Sequence, residues 1–217
     1  MGGMTEPASP ATTTAIEVFA DLSCPFAHAG LHRWLARREA SGRKDVSLRV
    51  RAWPLELVNG TPLTGSGIAA KVAALSVAFP ELFAGFEPDN FPATTLPALQ
   101  MSNAAARVDP ATGERVAIRL RDLIFIEGEN IADPGVLDRV AAEFGVPSPD
   151  AIDEQAVLDD LADGRSRGVI GSPHYFGPGF DDFCPGLDIA HVGDALDVTR
   201  AGSRFDEFVD RCFSLER

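Results

Sequence analysis

The chain has 217 residues and is 45% hydrophobic, enough for one substantial core in one domain or in one domain carrying an insertion. Its 19 Lys plus Arg stand against 32 Asp plus Glu, a net charge of −13 that argues against a nucleic-acid partner and against an anionic membrane surface, since both would repel it. No stretch approaches the roughly 18 consecutive apolar residues of a membrane span, and three scattered cysteines, Cys24, Cys184 and Cys212, do not make a secreted disulfide framework, so the default compartment is the cytosol.

Met1 to Thr14 has no basic residue and no apolar run, matches neither a signal nor a transit peptide, and reads as a disordered leader. Glu6 stands where the myristoylation pattern needs Ser or Thr. A strand over Ile16 to Ala20 then leads through Asp21, Leu22 and Ser23 to Cys24, where a helix begins. The first N–H groups of a helix have no partner inside it and its dipole favours an anion, so a thiol at this junction can act as a nucleophile. The bland alternative is a small buried hydrophobe. Pro25 suits the first helical position. Ala27, Leu31, Trp34 and Leu35 form the inward stripe of a helix reaching Ala40. Asp21 reads as a cap for the backbone of the turn.

Val46 to Trp53 alternates apolar and polar residues, a strand, and the strand, helix, strand order points to a parallel pair in an α/β protein. Asn59 to Gly67 reads as loop, Ile68 to Phe79 as helix interrupted by Pro80, and Gly85 to Pro97 as loop again. Leu99 to Val108 is a helix, Asp109 to Gly113 a turn, and Glu114 to Glu127 a helix. Asp133-Pro134 caps a helix that ends at Phe144 and Gly145, and Ser148-Pro149 repeats the cap before Ile152 to Gly164. These helices read as an insertion. A strand returns over Val169 to Phe176, Gly177 to Gly179 turn, Phe183 to Ile189 pairs back as a hairpin, and Ser203 to Phe213 is a last amphipathic helix with Cys212 in its apolar stripe.

Cys24-Pro25-Phe26 opening a helix, a strand ending Arg51-Ala52-Trp53-Pro54-Leu55-Glu56-Leu57, and Gly171-Ser172-Pro173 entering a hairpin resemble a DsbA-like thioredoxin-superfamily protein. More narrowly they resemble the FrnE-like branch, near 2-hydroxychromene-2-carboxylate isomerases and kappa-class glutathione transferases, and the stretch Leu123 to Val146, with Phe125 to Gly128 and Asn130 to Asp133, also resembles that branch's insertion. The resemblance implies a thioredoxin fold with a helical insertion domain between the second strand and the cis-proline strand. The expected parts are the leader at 1–14, thioredoxin parts at 15–58 and 165–217, and the insertion at 59–164.

It further implies Cys24 as nucleophile and Pro173 as the cis-proline beside it, with the Ser172 backbone free to pair with a bound thiol or peptide, and Pro25 and Phe26 at the same turn. Ala27 stands where dithiol relatives carry the second, resolving cysteine, so the usual two-cysteine cycle is closed to this chain. Three consequences compete. In a monothiol cycle a small thiol such as glutathione or mycothiol is co-substrate and resolves a mixed disulfide with an organic or protein substrate. In a transferase or isomerase the site would activate that small thiol. In the third, Cys184 acts as a distant resolving cysteine, for which sequence shows no distance. A binding protein that kept the fold and lost the chemistry is the reading from another class. No tightly bound cofactor is implied, and the oligomeric state stays open.

His28 and His32 follow Cys24 by four and eight residues. Positions eight apart on a helix cannot share an ion, and Cys24 with His28 makes only two ligands, so no metal is expected. Both histidines read as a partly exposed helix face, with a second role for His28 as the base or cation that keeps Cys24 ionised. His174 either faces the site or fills the hairpin. Phe176, Phe180 and Phe183 with Phe79, Phe83, Phe86 and Phe91 either line a groove between the two parts or simply pack.

Overall fold

The computed structural model describes residues 14–148, 154–193 and 195–214. The expected leader lies outside them except for Thr14, which opens a strand. The cap expected at Ser148-Pro149 and the helix start at Ile152 fall largely on residues outside them as well.

Strand β1 (Thr14–Ala20) pairs in parallel with β2 (Val46–Ala52) across helix α1 (Pro25–Ala40), and antiparallel with β3 (His174–Gly177), which pairs antiparallel with β4 (Phe180–Phe183). The sheet order β2-β1-β3-β4 is the thioredoxin fold that the motifs implied, with the helical insertion between β2 and β3. Alternation along β1 decides the layers. Ile16, Val18 and Ala20 pack under Leu31 and Trp34 of α1, while Phe19 points to the other face and meets Trp53, Leu161 and Val169. Helix α8 (Ser203–Phe213) adds Phe205, Phe208, Val209 and Cys212 to the α1 side.

The insertion runs through α2 (Leu55–Asn59), α3 (Gly65–Ala78), two short 3₁₀ turns at Pro80–Phe83 and Pro88–Asn90, then α4 (Leu96–Val108), α5 (Pro110–Phe125), α6 (Pro134–Phe144) and α7 (Gln155–Ser166). Asp109 and Pro110 correct the turn expected there. The Asp109 carboxylate accepts from Thr112 N at 2.9 Å and Pro110 takes the first turn, the same cap that Asp133 and Pro134 make for α6. Gly113 therefore lies inside a helix, where a Cβ would come within 2.5 Å of Ala106 on α4; the missing side chain lets the two helices close. In the same way a Cβ on Gly164 would meet the Trp53 ring at 2.6 Å, and its absence lets α7 sit on the sheet.

Edge strand β2 is covered by carboxylates from two of these helices. Leu48 N donates to Glu114 of α5 at 2.8 Å and Ala52 N to Asp160 of α7 at 2.9 Å, which satisfies backbone groups that would otherwise invite another strand.

Three further expectations change. The strand expected from Val169 begins only at His174. The hairpin partner is Phe180–Phe183 and not Phe183 to Ile189. The remainder pairs elsewhere: β5 (Leu187–Val192) and β6 (Ala195–Arg200) form a separate two-stranded sheet, β6 packing near α3. The Gly193-Asp194 pair is itself a two-residue hairpin signal in the sequence, one that the expected elements leave unused. The phenylalanines do not line one groove. Phe83, Phe86 and Phe91 surround Phe125 in the insertion, Phe176 sits against Phe19, and Phe180 against Phe208.

Candidate active site

Cys24 occupies the N-cap of α1 with extended backbone (φ −82°, ψ 113°), and Pro25 follows at the first helical position. The turn before it is held by one side chain. The Asp21 carboxylate accepts from Ser23 N at 2.7 Å, Ser23 Oγ at 2.6 Å and Leu55 N at 2.6 Å, so it ties the end of β1 to the start of α2 as well as capping its own turn.

The Ser172–Pro173 peptide is cis. Ser172 faces the turn twice: its hydroxyl accepts from Asp21 N at 3.0 Å, and its carbonyl accepts the Cys24 thiol at 3.1 Å. The Ser172 carbonyl, expected to pair with a bound thiol or peptide, is engaged at rest by the Cys24 thiol. Ala27 is completely buried one turn into the helix, and Phe26 lies partly buried between the two larger cores.

The electrostatics favour a protonated resting thiol. Cys24 is 4% exposed, and burial pushes its pKa up, with the Asp21 charge adding to it. The Ser172 hydroxyl and the backbone N–H groups of Ala27 and Phe26 work the other way, in favour of the thiolate. Below the turn lies Arg121 of α5, wholly buried, donating to Ala117 O at 2.6 Å and to the Asp21 carbonyl at 3.3 Å. Burial lowers its pKa to about 10, while Asp21 and Cys24, in that order, hold the charge on it. Sequence reasoning missed Arg121. The signal was there: it falls among Ala117, Leu120 and Ile124, a charge in the apolar stripe of an amphipathic helix.

The histidines fall elsewhere. His28 is completely buried, not on an exposed face; its Nε2 bonds Leu82 O at 2.8 Å and its Nδ1 has no hydrogen-bond partner among the described residues. Neither nitrogen reaches the thiol, and burial holds the His28 pKa well below the usual value, so it is neutral and cannot be the cation expected beside Cys24. His32 bonds Asp122 instead. His174 pairs with Phe19 and shares its face, away from α1; its ring accepts from Ile170 N at 3.3 Å and bonds Asp181 at 2.9 Å, so it fills the hairpin.

Cys184 is buried, and its N–H donates to Pro173 O at 3.0 Å, which brings it to the cis-proline loop. It holds a left-handed φ of 47°, rare for a residue with a side chain. Burial pushes its thiol up to about 12, so it is a poor attacker as it stands. All three cysteines are free. Among the described residues no helix is long and apolar enough to cross a membrane.

No curated protein matches this chain. Among solved structures it is similar to a probable DsbA oxidoreductase from Streptomyces coelicolor, with a TM-score of 0.65 at 13% identity over 94% of this chain and 92% of that one. The cytosolic disulfide reductase DsbM from Pseudomonas aeruginosa with GSH gives 0.53 at 15% identity, over 91% and 96%. A 2-hydroxychromene-2-carboxylate isomerase gives 0.51 at 15%, over 78% and 88%. At these identities the likeness is one of fold. The sequence itself carries the assignment further, for the model of the DSBA-like thioredoxin domain matches residues 15–192, from β1 and the Cys24 turn through cis-Pro173 to β5, and this protein therefore belongs to the DsbA-like thioredoxin domain family.

Proposed function

We propose that the protein is a monothiol member of this family, a thiol-disulfide oxidoreductase in which Cys24 is the nucleophile and a low-molecular-weight thiol completes the cycle. The observation that carries the reading is the Cys24 sulfur at the N-terminus of α1, 3.1 Å from the carbonyl that precedes cis-Pro173, with a methyl at position 27. In the first step the Cys24 thiolate attacks one sulfur of a disulfide R–S–S–R′. A Cys24–S–S–R bond forms, the original S–S bond breaks, and R′–S⁻ leaves with the electron pair and takes up a proton. A small thiol G–SH, glutathione or mycothiol, then gives up its proton and attacks the R sulfur, forming G–S–S–R and freeing the Cys24 thiolate. The net exchange is RSSR′ plus GSH to RSSG plus R′SH, so the small-thiol pool supplies the reducing equivalents.

The N–H groups of Phe26 and Ala27 stabilise the thiolate once the partner has displaced the Ser172 carbonyl from it. The fold shared with DsbM, a cytosolic disulfide reductase studied with GSH, supports both the co-substrate and a cytosolic location, where such thiols stay reduced.

One observation favours a second reading. Burial keeps Cys24 protonated at rest and directs its S–H to a carbonyl, as suits a residue that positions another thiol, and the shared fold with the isomerase is in keeping with a small-thiol-dependent transferase or isomerase. A binding protein without chemistry is the third. Intact mass after incubation with glutathione disulfide, and separately with mycothiol disulfide, decides among them. The monothiol reading expects a single adduct that maps to Cys24 and disappears in Cys24→Ser. Saturable binding of the reduced thiol with no adduct overturns it in favour of the second reading, absence of both leaves the third, and an internal disulfide between Cys24 and Cys184 would make Cys184 the resolving group.

A further inference from the structure

Four residues along α1 from Cys24, on the side facing the insertion, is a second group of polar side chains that the thiol chemistry does not use. His28 and His32 stand at i and i+4 on α1, and Asp122 reaches them from the last turns of α5. Along α1 alone Cys24 and His28 make only two ligands; Asp122 comes from a helix about ninety residues away, which no spacing along α1 could announce.

His28 Nε2 lies 2.8 Å from Leu82 O, and a carbonyl can only accept, so Nε2 carries the ring proton. Its Nδ1 therefore bears a lone pair. That nitrogen is fully buried, has no hydrogen-bond partner among the described residues, and lies 3.9 Å from Asp122 Oδ1. His32 Nε2 is 2.7 Å from the same oxygen. One ligand atom from each of the three residues falls within 4.8 Å of the others.

A tetrahedral zinc with bonds of about 2.0–2.1 Å separates its ligands by about 3.3 Å, and the two separations here, 3.9 and 2.7 Å, lie on either side of that value. The backbone carbonyl behind His28 does what such groups do behind metal-bound histidines: it fixes the tautomer and aims the other nitrogen. Phe83 and Phe125 hold the ring at 5.3 and 4.9 Å between centroids. His32 and Asp122 are each 23% exposed, which leaves an entrance for an ion and for water to complete its coordination. A simple ion pair between His32 and Asp122 would account for those two residues, yet it would leave the lone pair of His28 buried and unused, the kind of orphan that folded proteins avoid.

We propose that His28, His32 and Asp122 form a binding site for a divalent transition metal of zinc-like preference, which ties the middle of α1 to the end of α5. Two imidazoles and one carboxylate are a donor set suited to zinc and cobalt and poorly suited to calcium or magnesium, which take oxygen ligands.

The test is titration of chelator-treated protein with Co²⁺, whose visible absorption reports tetrahedral coordination, followed by displacement with Zn²⁺. Cys24→Ser serves as the parent chain so that the thiol contributes nothing. The expected result is one Co²⁺ per chain, displaced by one Zn²⁺, and a higher unfolding midpoint with Zn²⁺ present. His32→Ala and Asp122→Asn, both at partly exposed positions, should each weaken Co²⁺ binding at least about tenfold and abolish the shift in midpoint, while circular dichroism without metal matches the parent. Binding that is as tight in both variants as in the parent, or no saturable Co²⁺ binding by the parent, overturns the proposal.

Discussion

Two buried polar clusters hang from the same helix, four residues apart, and consecutive residues of α5 serve them: Arg121 turns to the Cys24 turn and Asp122 to the histidines. They are built in opposite ways. Around Cys24 the Asp21 carboxylate, the Ser172 hydroxyl and the Ser172 carbonyl each have donors, and the thiol itself is spoken for. Around His28 one nitrogen faces the cluster without a partner. Beneath the Cys24 turn the buried atom without a partner is Arg121 Nε, a donor on a charged group, whereas at His28 it is an acceptor; the difference teaches that the thiol is held at rest by its own hydrogen bond until a partner intrudes, while an unmatched lone pair marks a position prepared for something else.

The comparison can be broken most drastically at Ala27. Ala27→Cys restores the second cysteine one turn from Cys24, and glutathione disulfide should then yield an internal disulfide in place of a stable adduct, read by intact mass. Because Ala27 is wholly buried, the added sulfur costs about 1–3 kcal/mol of stability. If the adduct persists in this variant, position 27 does not approach the Cys24 sulfur as a resolving residue must.

Arg121→Met should come next in size. It removes a buried guanidinium that bonds the Ala117 and Asp21 carbonyls and attracts the Asp21 carboxylate, and the acceptors left unmet should destabilise the fold by about 1–3 kcal/mol, measured by urea unfolding. A carboxylate left without its cation takes a proton more readily, so Asp21→Asn should cost less in the Arg121→Met background than alone. Additive losses would show that the two residues do not act together.

The smallest effect separates the clusters by pH. Burial depresses the His28 pKa below its ordinary 6.5. Above that pH the ring is neutral in both folded and unfolded chains. As pH falls below it the unfolded chain takes up a proton that the folded chain refuses, so stability drops by at most about 1.4 kcal/mol per pH unit until the folded value is reached. Asp21 runs in the opposite direction: its pKa is raised by burial, so its contribution is present below its ordinary value of 3.8 and lost as pH rises through the folded value. The difference in slope between wild type and His28→Phe therefore isolates the histidine, and equal slopes would refute its neutral burial.

Much of the fold could be read from local pattern. The alternation of Val46 to Ala52, the Pro25 start and the inward stripe of α1, the Asp133-Pro134 cap and the αL Gly145 all act within a few residues, so the chain states them directly. The same Asp-Pro signal at 109–110, followed by Gly113, reads as a turn, and only the approach of Ala106 explains that glycine. In the sequence, Phe183 to Ile189 reads as the partner of the cis-proline strand and β6 goes unmarked, because pairing depends on which edges are free after the sheet has closed.

Sequence alone determined the chemistry of the opening turn: a thiol at a helix N-terminus, a proline after it, a methyl where a second thiol would stand, and a Ser-Pro pair downstream to meet it. These are choices of residue type in local backbone settings. Tertiary structure alone decided the charge and company of those groups. It set Arg121 beneath Asp21, sealed Cys24 so that burial opposes its ionisation, turned His174 away and brought Asp122 to His28 and His32. The physical reason is that solvation and Coulomb energy depend on distances between elements far apart in the chain, and no window of sequence contains them.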